Sequence, residues 1–265
     1  MLVRIISAVV AIPLLLFFII VGGVPLKCAV LVLSLIGMYE LYKAVSGRIK
    51  AVHLVGFLLE LFYFVSWFKQ VDTTMITAVL SIATIIILFI LVVCHKTNNI
   101  NDGSVTLFGF FYLGVLLSLI CSIRATALYL AWLPFIFAFV GDTGAYFIGS
   151  KFGKHKLTPE LSPKKSVEGA IGGIVCVAIF TTLYMICISK SLSAFTLFFG
   201  IIIGGIGSVL AQFGDLAASS IKRYVGIKDY GNLMPGHGGV LDRFDSVLFT
   251  LPYVYIIIEF WLALQ

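Results

Sequence analysis

Unbroken apolar runs, each about as long as a bilayer is thick, follow one another along almost the whole chain. The hydrocarbon core of a membrane takes about 20 apolar residues per helix. The stretches 3–21, 25–45, 52–68, 74–94, 104–123, 126–149, 169–189, 194–220 and 244–263 are close to that length. They predict an all-α, polytopic integral membrane protein with about nine transmembrane helices. A transmembrane β-barrel would instead alternate apolar and polar residues in segments of about ten. Only 11% of the 265 residues are charged, against roughly 25% in ordinary soluble domains. Glu40 and Glu60 interrupt the second and third runs; with Glu259 they lie near span ends and read as interfacial. The 194–220 run carries Gly200, Gly204, Gly205, Gly207 and Gly214, small residues that let helices approach closely.

Lys and Arg are distributed unevenly between alternate loops. With nine spans and a cytoplasmic N-terminus, the inner segments hold 14 of the 18. The outer ones hold only Lys27, Lys69, Arg124 and Lys190. That asymmetry is the one the positive-inside rule describes. It places the charged loops 150–168 and 221–243 on the cytoplasmic side and Gln265 outside. The net charge of +6 follows from such loops and from phosphate ligands, and calls for no nucleic acid. Arg4 followed by the run from Ile5 to Val21 resembles a signal peptide but is longer than the usual h-region, and reads as a retained first helix. Cys28, Cys94, Cys121, Cys176 and Cys187 form no C-x-x-C pair and read as inert thiols. The chain reads as one membrane domain, 1–265, in which helices within 1–123 have no assigned role and 124–265 carries both charged motifs.

Charge is dense in one stretch between two apolar runs, from Asp215 to Asp245. It contains Asp215, Lys222, Arg223, Lys228, Asp229, His237, Asp242, Arg243 and Asp245, with Gly236, Gly238 and Gly239. Charge at a membrane boundary is costly and marks function. Carboxylates hold divalent metals through oxygen, and lysines and arginines hold phosphates. Glycines let a backbone approach a ligand. These are the parts needed for a nucleoside triphosphate with its metal. Asp242 and Asp245, three apart, share a helix face. A second stretch, 141–169, has Asp142 in an apolar helix, then Lys151, Lys154, His155, Lys156, Lys164, Lys165 and Ser166. Pro163 is expected to set a turn at Ser162. A phosphate site and a positive-inside loop without ligand account equally for that composition.

Ser219, Ile221, Lys222, Arg223, Lys228, Asp229, Gly231, Pro235, His237, Gly238, Gly239, Asp242, Arg243 and Asp245 closely resemble the signature of the phosphatidate cytidylyltransferases, or CDP-diacylglycerol synthases. The upstream stretches G-D-T-G-A-Y-F-I-G and S-P-K-K-S-V-E-G are similar to that family too. Met234 and Ser166 are conservative departures. The resemblance covers roughly the C-terminal half. It implies a bacterial inner-membrane enzyme, multi-pass and homodimeric, that converts phosphatidic acid and CTP to CDP-diacylglycerol and pyrophosphate with Mg²⁺ and a second, monovalent cation such as K⁺.

On this reading Asp215 and Asp242 are the expected metal ligands, with Asp142 and Asp245 as lesser candidates. Lys164, Lys165, Lys222, Arg223, Lys228 and Arg243 are expected to bind phosphates. His237, Gly238 and Gly239 would shape the loop. Asp229 joins the catalytic candidates, and Ser162, Ser166 and Ser219 the substrate-binding ones. The two charged loops are expected to serve one site. Two other readings stand beside it: another CTP-using lipid enzyme, such as a polyprenol kinase or a cytidylyltransferase for a different lipid phosphate, and an ion-coupled transporter. A transporter predicts inverted repeats, whereas the charges here are bunched in one half.

Overall fold

Lipid offers the backbone no hydrogen-bond partner, so apolar spans must satisfy their own amides as helices. The computed structural model, which describes residues 2–69, 72–189, 193–233 and 238–263, bears this out. In chain order the helices are α1 (Leu2–Val21), α2 (Gly23–Val45), α3 (His53–Lys69) and α4 (Thr73–Val93). Next come α5 (Ile100–Thr126) and α6 (Leu130–Phe152), α7 (Val167–Ser189), α8 (Ala194–Val225) and α9 (Leu241–Ala263). Among the described residues seven of these, α2 and α4 to α9, are long and apolar enough to cross a membrane. The shorter apolar helix at His53–Phe68 and the helix α1 are outside that count. Helices α5 and α6 each contain a π-helical stretch, Phe110–Val115 and Ile136–Val140.

The chain divides into two compact units. The first comprises 1–121 and 225–242, the second 122–224 and 243–265. Residues 225–242 of the charged stretch cluster with the N-terminal helices.

In the first unit, Asn99 and Asp102 form a capping box that starts α5. Asp102 accepts the Asn99 N–H at 2.8 Å and, through its other oxygen, the Lys50 N–H at 2.7 Å. Tyr42 donates to the Thr106 carbonyl at 2.7 Å, tying α2 to α5. Neither Glu40 nor Glu60 interrupts its helix, and both are buried within the protein, 5% and 0% exposed. Ser34 donates to Glu60. A fully buried carboxylate is tolerable only beside such partners.

In the second unit, α6 and α7 pack along one another. They can do so because Gly144 meets Cys176 and Gly149 faces Gly169, where a side chain would collide. Between them the chain forms an antiparallel hairpin, β1 (Lys156–Thr158) and β2 (Ser162–Ser166), a small exception to the all-α expectation. The turn falls on 159–161, so Pro163 lies in a strand rather than setting a turn. Proline is acceptable there because a two-stranded sheet has only edge strands, where a missing N–H need break no ladder bond.

Candidate active site

The hairpin and the C-terminal part of α8 are held together by charge. Lys165, in β2, forms an ion pair with Asp215 of α8; their side chains are 27% and 29% exposed. Two turns further along α8, the Arg223 Nε donates to the Leu161 carbonyl at 3.3 Å. At the base of the hairpin the Glu168 carboxylate accepts the Lys154 and His155 N–H groups, at 3.0 and 3.2 Å, and meets the His155 ring at 2.6 Å. Ser166 Oγ accepts the Gly169 N–H at 3.2 Å, capping α7. The 150–168 segment is thus a fixed structure docked on α8, not a loose basic loop.

Around the Lys165–Asp215 pair the second unit gathers further charge. Asp142 of α6 lies within electrostatic reach of Lys165, Asp215 and Arg243. Asp245 of α9 lies within reach of Asp215, Lys222 and Asp142. Asp245 is 6% exposed and Lys222 8%. One Asp245 oxygen accepts the Ser246 N–H at 2.7 Å. Asp142, Asp215 and Asp245 are thereby set against Lys165, Lys222 and Arg243. Gly214 allows the gathering: a Cβ there would lie 2.5 Å from the Asp245 carbonyl oxygen.

The first unit holds the rest of the signature. One oxygen of Asp242, in the first turn of α9, accepts the Tyr230 N–H at 2.8 Å and the Gly239 N–H at 3.0 Å. Gly238 has φ of 85°, a conformation side chains disfavour. Lys228 and Asp229 are exposed in the segment before it. Glu40 of α2 accepts the Val240 and Leu241 N–H groups at 3.1 and 3.0 Å.

The sequence-derived candidates are accordingly placed in three ways. Asp142, Lys165, Asp215, Lys222, Arg243 and Asp245 come together. Arg223 is beside them in chain and braces the hairpin; Ser219 is buried on α8, Ser162 half-buried and Lys164 exposed in β2. Lys228, Asp229, Gly238, Gly239 and Asp242 belong to the first unit. His237 lies outside the described residues. Glu40 was noted in the sequence but not counted among the site candidates, although a carboxylate inside an apolar run was a signal for it.

Among the described residues, no three of His, Cys, Asp and Glu form a ready-made metal cage. Mg²⁺ needs none, since it keeps waters and takes one or two carboxylates plus substrate phosphates. Asp215, with Asp142 and Asp245 in reach, supplies oxygen donors that fit it.

Fold and site together define a polytopic helical membrane protein with a mixed cluster of carboxylates and cations. The chain belongs to the cytidylyltransferase family, whose profile matches residues 2–261. It is 32% identical over 260 residues to a Staphylococcus haemolyticus (strain JCSC1435) protein named phosphatidate cytidylyltransferase, covering 97% of this chain and 98% of that one. Similar proteins of the same name occur in Bacillus subtilis (strain 168), 32% identical over 266 residues and 96% of each chain, and in Staphylococcus aureus (strain COL), 32% identical over 263 residues, 97% of this chain and 98% of that one.

Proposed function

We infer that this chain transfers CMP from CTP to phosphatidic acid, giving CDP-diacylglycerol and pyrophosphate. The observation that carries the reading is likeness along nearly the whole chain to proteins named for that activity. The clustering of Lys165, Asp215 and Asp245 from separate motifs supports it.

A lipid phosphate oxygen forms a bond to the α-phosphorus of CTP, and the bond from that phosphorus to the bridging oxygen breaks. The electron pair leaves with pyrophosphate. A phosphomonoester has its second pKa near 6, so the nucleophile is largely ionised at neutral pH and needs no strong base. The difficulty is bringing two polyanions together. Lys165, Lys222 and Arg243 offset that repulsion and orient the phosphates, with Lys164, Arg223 and Lys228 as further phosphate contacts. When bound, Mg²⁺ supplies electrostatic stabilisation of phosphate charge. Asp215 and Asp242 are its proposed ligands, with Asp142 and Asp245 as further donors.

The reading places the enzyme in a bacterial plasma membrane as a homodimer with its site at the cytoplasmic face. CTP would enter from water and the lipid from the leaflet. The deciding experiment incubates purified protein with CTP, Mg²⁺ and phosphatidic acid and identifies the products. CDP-diacylglycerol with pyrophosphate is expected. Release of CDP with a newly phosphorylated lipid, or no nucleotide transfer, overturns the reading.

A further inference from the structure

We infer that Glu40, from the second helix, is a positioning residue for the transfer: it fixes the segment that leads into Asp242. This inference rests on the proposed function. Glu40 lies 200 residues from its partners in sequence, yet each of its oxygens accepts a backbone N–H at the start of α9, Val240 at 3.1 Å and Leu241 at 3.0 Å. The first N–H groups of a helix have no partner within it and must find one elsewhere. Here a carboxylate from another helix supplies it, at the end that favours negative charge.

Three further observations make this a built clamp. Glu40 is only 5% exposed, so water does not compete for its oxygens. Gly231 and Gly239 pack on the Glu40 carboxylate so closely that a Cβ at either would collide with it. Asp242, within electrostatic reach of Glu40, grips the same segment from the other direction through the Tyr230 and Gly239 N–H groups. Tyr230 and the run from Gly239 to Leu241 are therefore fastened by two carboxylates. One, Asp242, belongs to the proposed metal-binding set. The other, among the described residues, takes its hydrogen bonds from backbone N–H groups, which makes it a support for the first.

The test uses full-length enzyme in lipid nanodiscs. Glu40→Gln is nearly isosteric but replaces one acceptor with an NH₂ group that faces a backbone donor. One charge-assisted hydrogen bond is lost, so amide exchange in peptides covering 238–241 should accelerate roughly tenfold to a hundredfold. The kcat should fall by about tenfold or more, with KM for CTP and phosphatidic acid within about threefold, since the loss is of orientation rather than of a substrate contact. Gly239→Ala forces the same contact apart with Glu40 intact and should reproduce both effects, which covers the case of a Glu40→Gln protein that does not fold. Unchanged kcat in both variants overturns the inference. So does a fall in kcat without faster exchange, which would make Glu40 a substrate contact. A wild-type enzyme that is inactive on CTP and phosphatidic acid refutes the proposed function instead, and its protected amides at 240 and 241 would still report the clamp.

Discussion

Gly214 is where a single methyl group should do most damage. It lies one residue before Asp215 on α8, and a Cβ there would sit 2.5 Å from the Asp245 carbonyl oxygen and 3.0 Å from the Ser246 Cα. Both obstacles are backbone atoms and cannot rotate aside. Ordinary contact begins at 3.4 Å, so α8 and α9 must separate by about 0.9 Å, the difference between 3.4 and 2.5. Overpacking of this kind costs about 1–3 kcal/mol. Its effect on rate should be larger, because a displacement of about 1 Å in a reacting constellation can cost about a hundredfold. Gly214→Ala should thus insert and fold, melt somewhat lower, and form CDP-diacylglycerol about a hundredfold more slowly. Gly205→Ala, on the same helix with nothing within 4 Å of the new methyl, is the control. Alanine is favoured over glycine in helices by about 0.8–1.0 kcal/mol, so that variant should keep both stability and rate. Wild-type turnover in Gly214→Ala, or equal loss in both variants, would refute the reasoning.

Lys165→Ala and Asp215→Asn should each lower kcat/KM at least about tenfold, and the double variant should lose less than the product of the two because they share one interaction; additive losses would contradict the pairing. Arg223→Ala should cut turnover and Arg223→Lys restore only part of it, since a point charge does not replace a fork; full recovery with lysine counts against a forked contact. Chelation of divalent ions should stop product formation and added Mg²⁺ restore it, so turnover persisting in excess chelator would remove the metal from the account. A cysteine at position 165 in a cysteine-free background should react with impermeant reagents only from the cytoplasmic side, and labelling of intact cells would reverse the proposed orientation.

The helices were legible because hydropathy over about 20 residues reports the bilayer directly. Their ends were less so. Helix α8 runs to Val225, five residues past the apolar stretch, since Ile221, Lys222 and Arg223 stay helical after the composition turns polar. The hairpin was hidden because Pro163 looks like a turn former wherever it stands, and only strand pairing reveals that the turn falls on 159–161. Asp142, Lys165, Asp215 and Asp245 could each be singled out from the sequence. That Lys165 would meet Asp215 could not, because they lie in different motifs. The partners of Glu40 and Glu60 were hidden for a plainer reason. A carboxylate near the end of an apolar run looks the same whether it reaches water or accepts buried amides, and the difference lies in a partner far along the chain.

The separation between Glu40 and its partners also has a consequence in time. Val240 and Leu241 leave the ribosome 200 and 201 residues after Glu40. At about 5–20 residues per second that is a delay of roughly 10–40 s. Throughout it, α2 resides in or beside the bilayer with a carboxylate whose acceptors are unfilled, a costly arrangement at depth. The first unit cannot close until the chain has completed α8 and returned. Truncation at the 121/122 boundary would therefore yield a fragment in which Glu40 lacks the amides that donate to it, and the shortest chain able to contain that unit complete ends beyond Leu241.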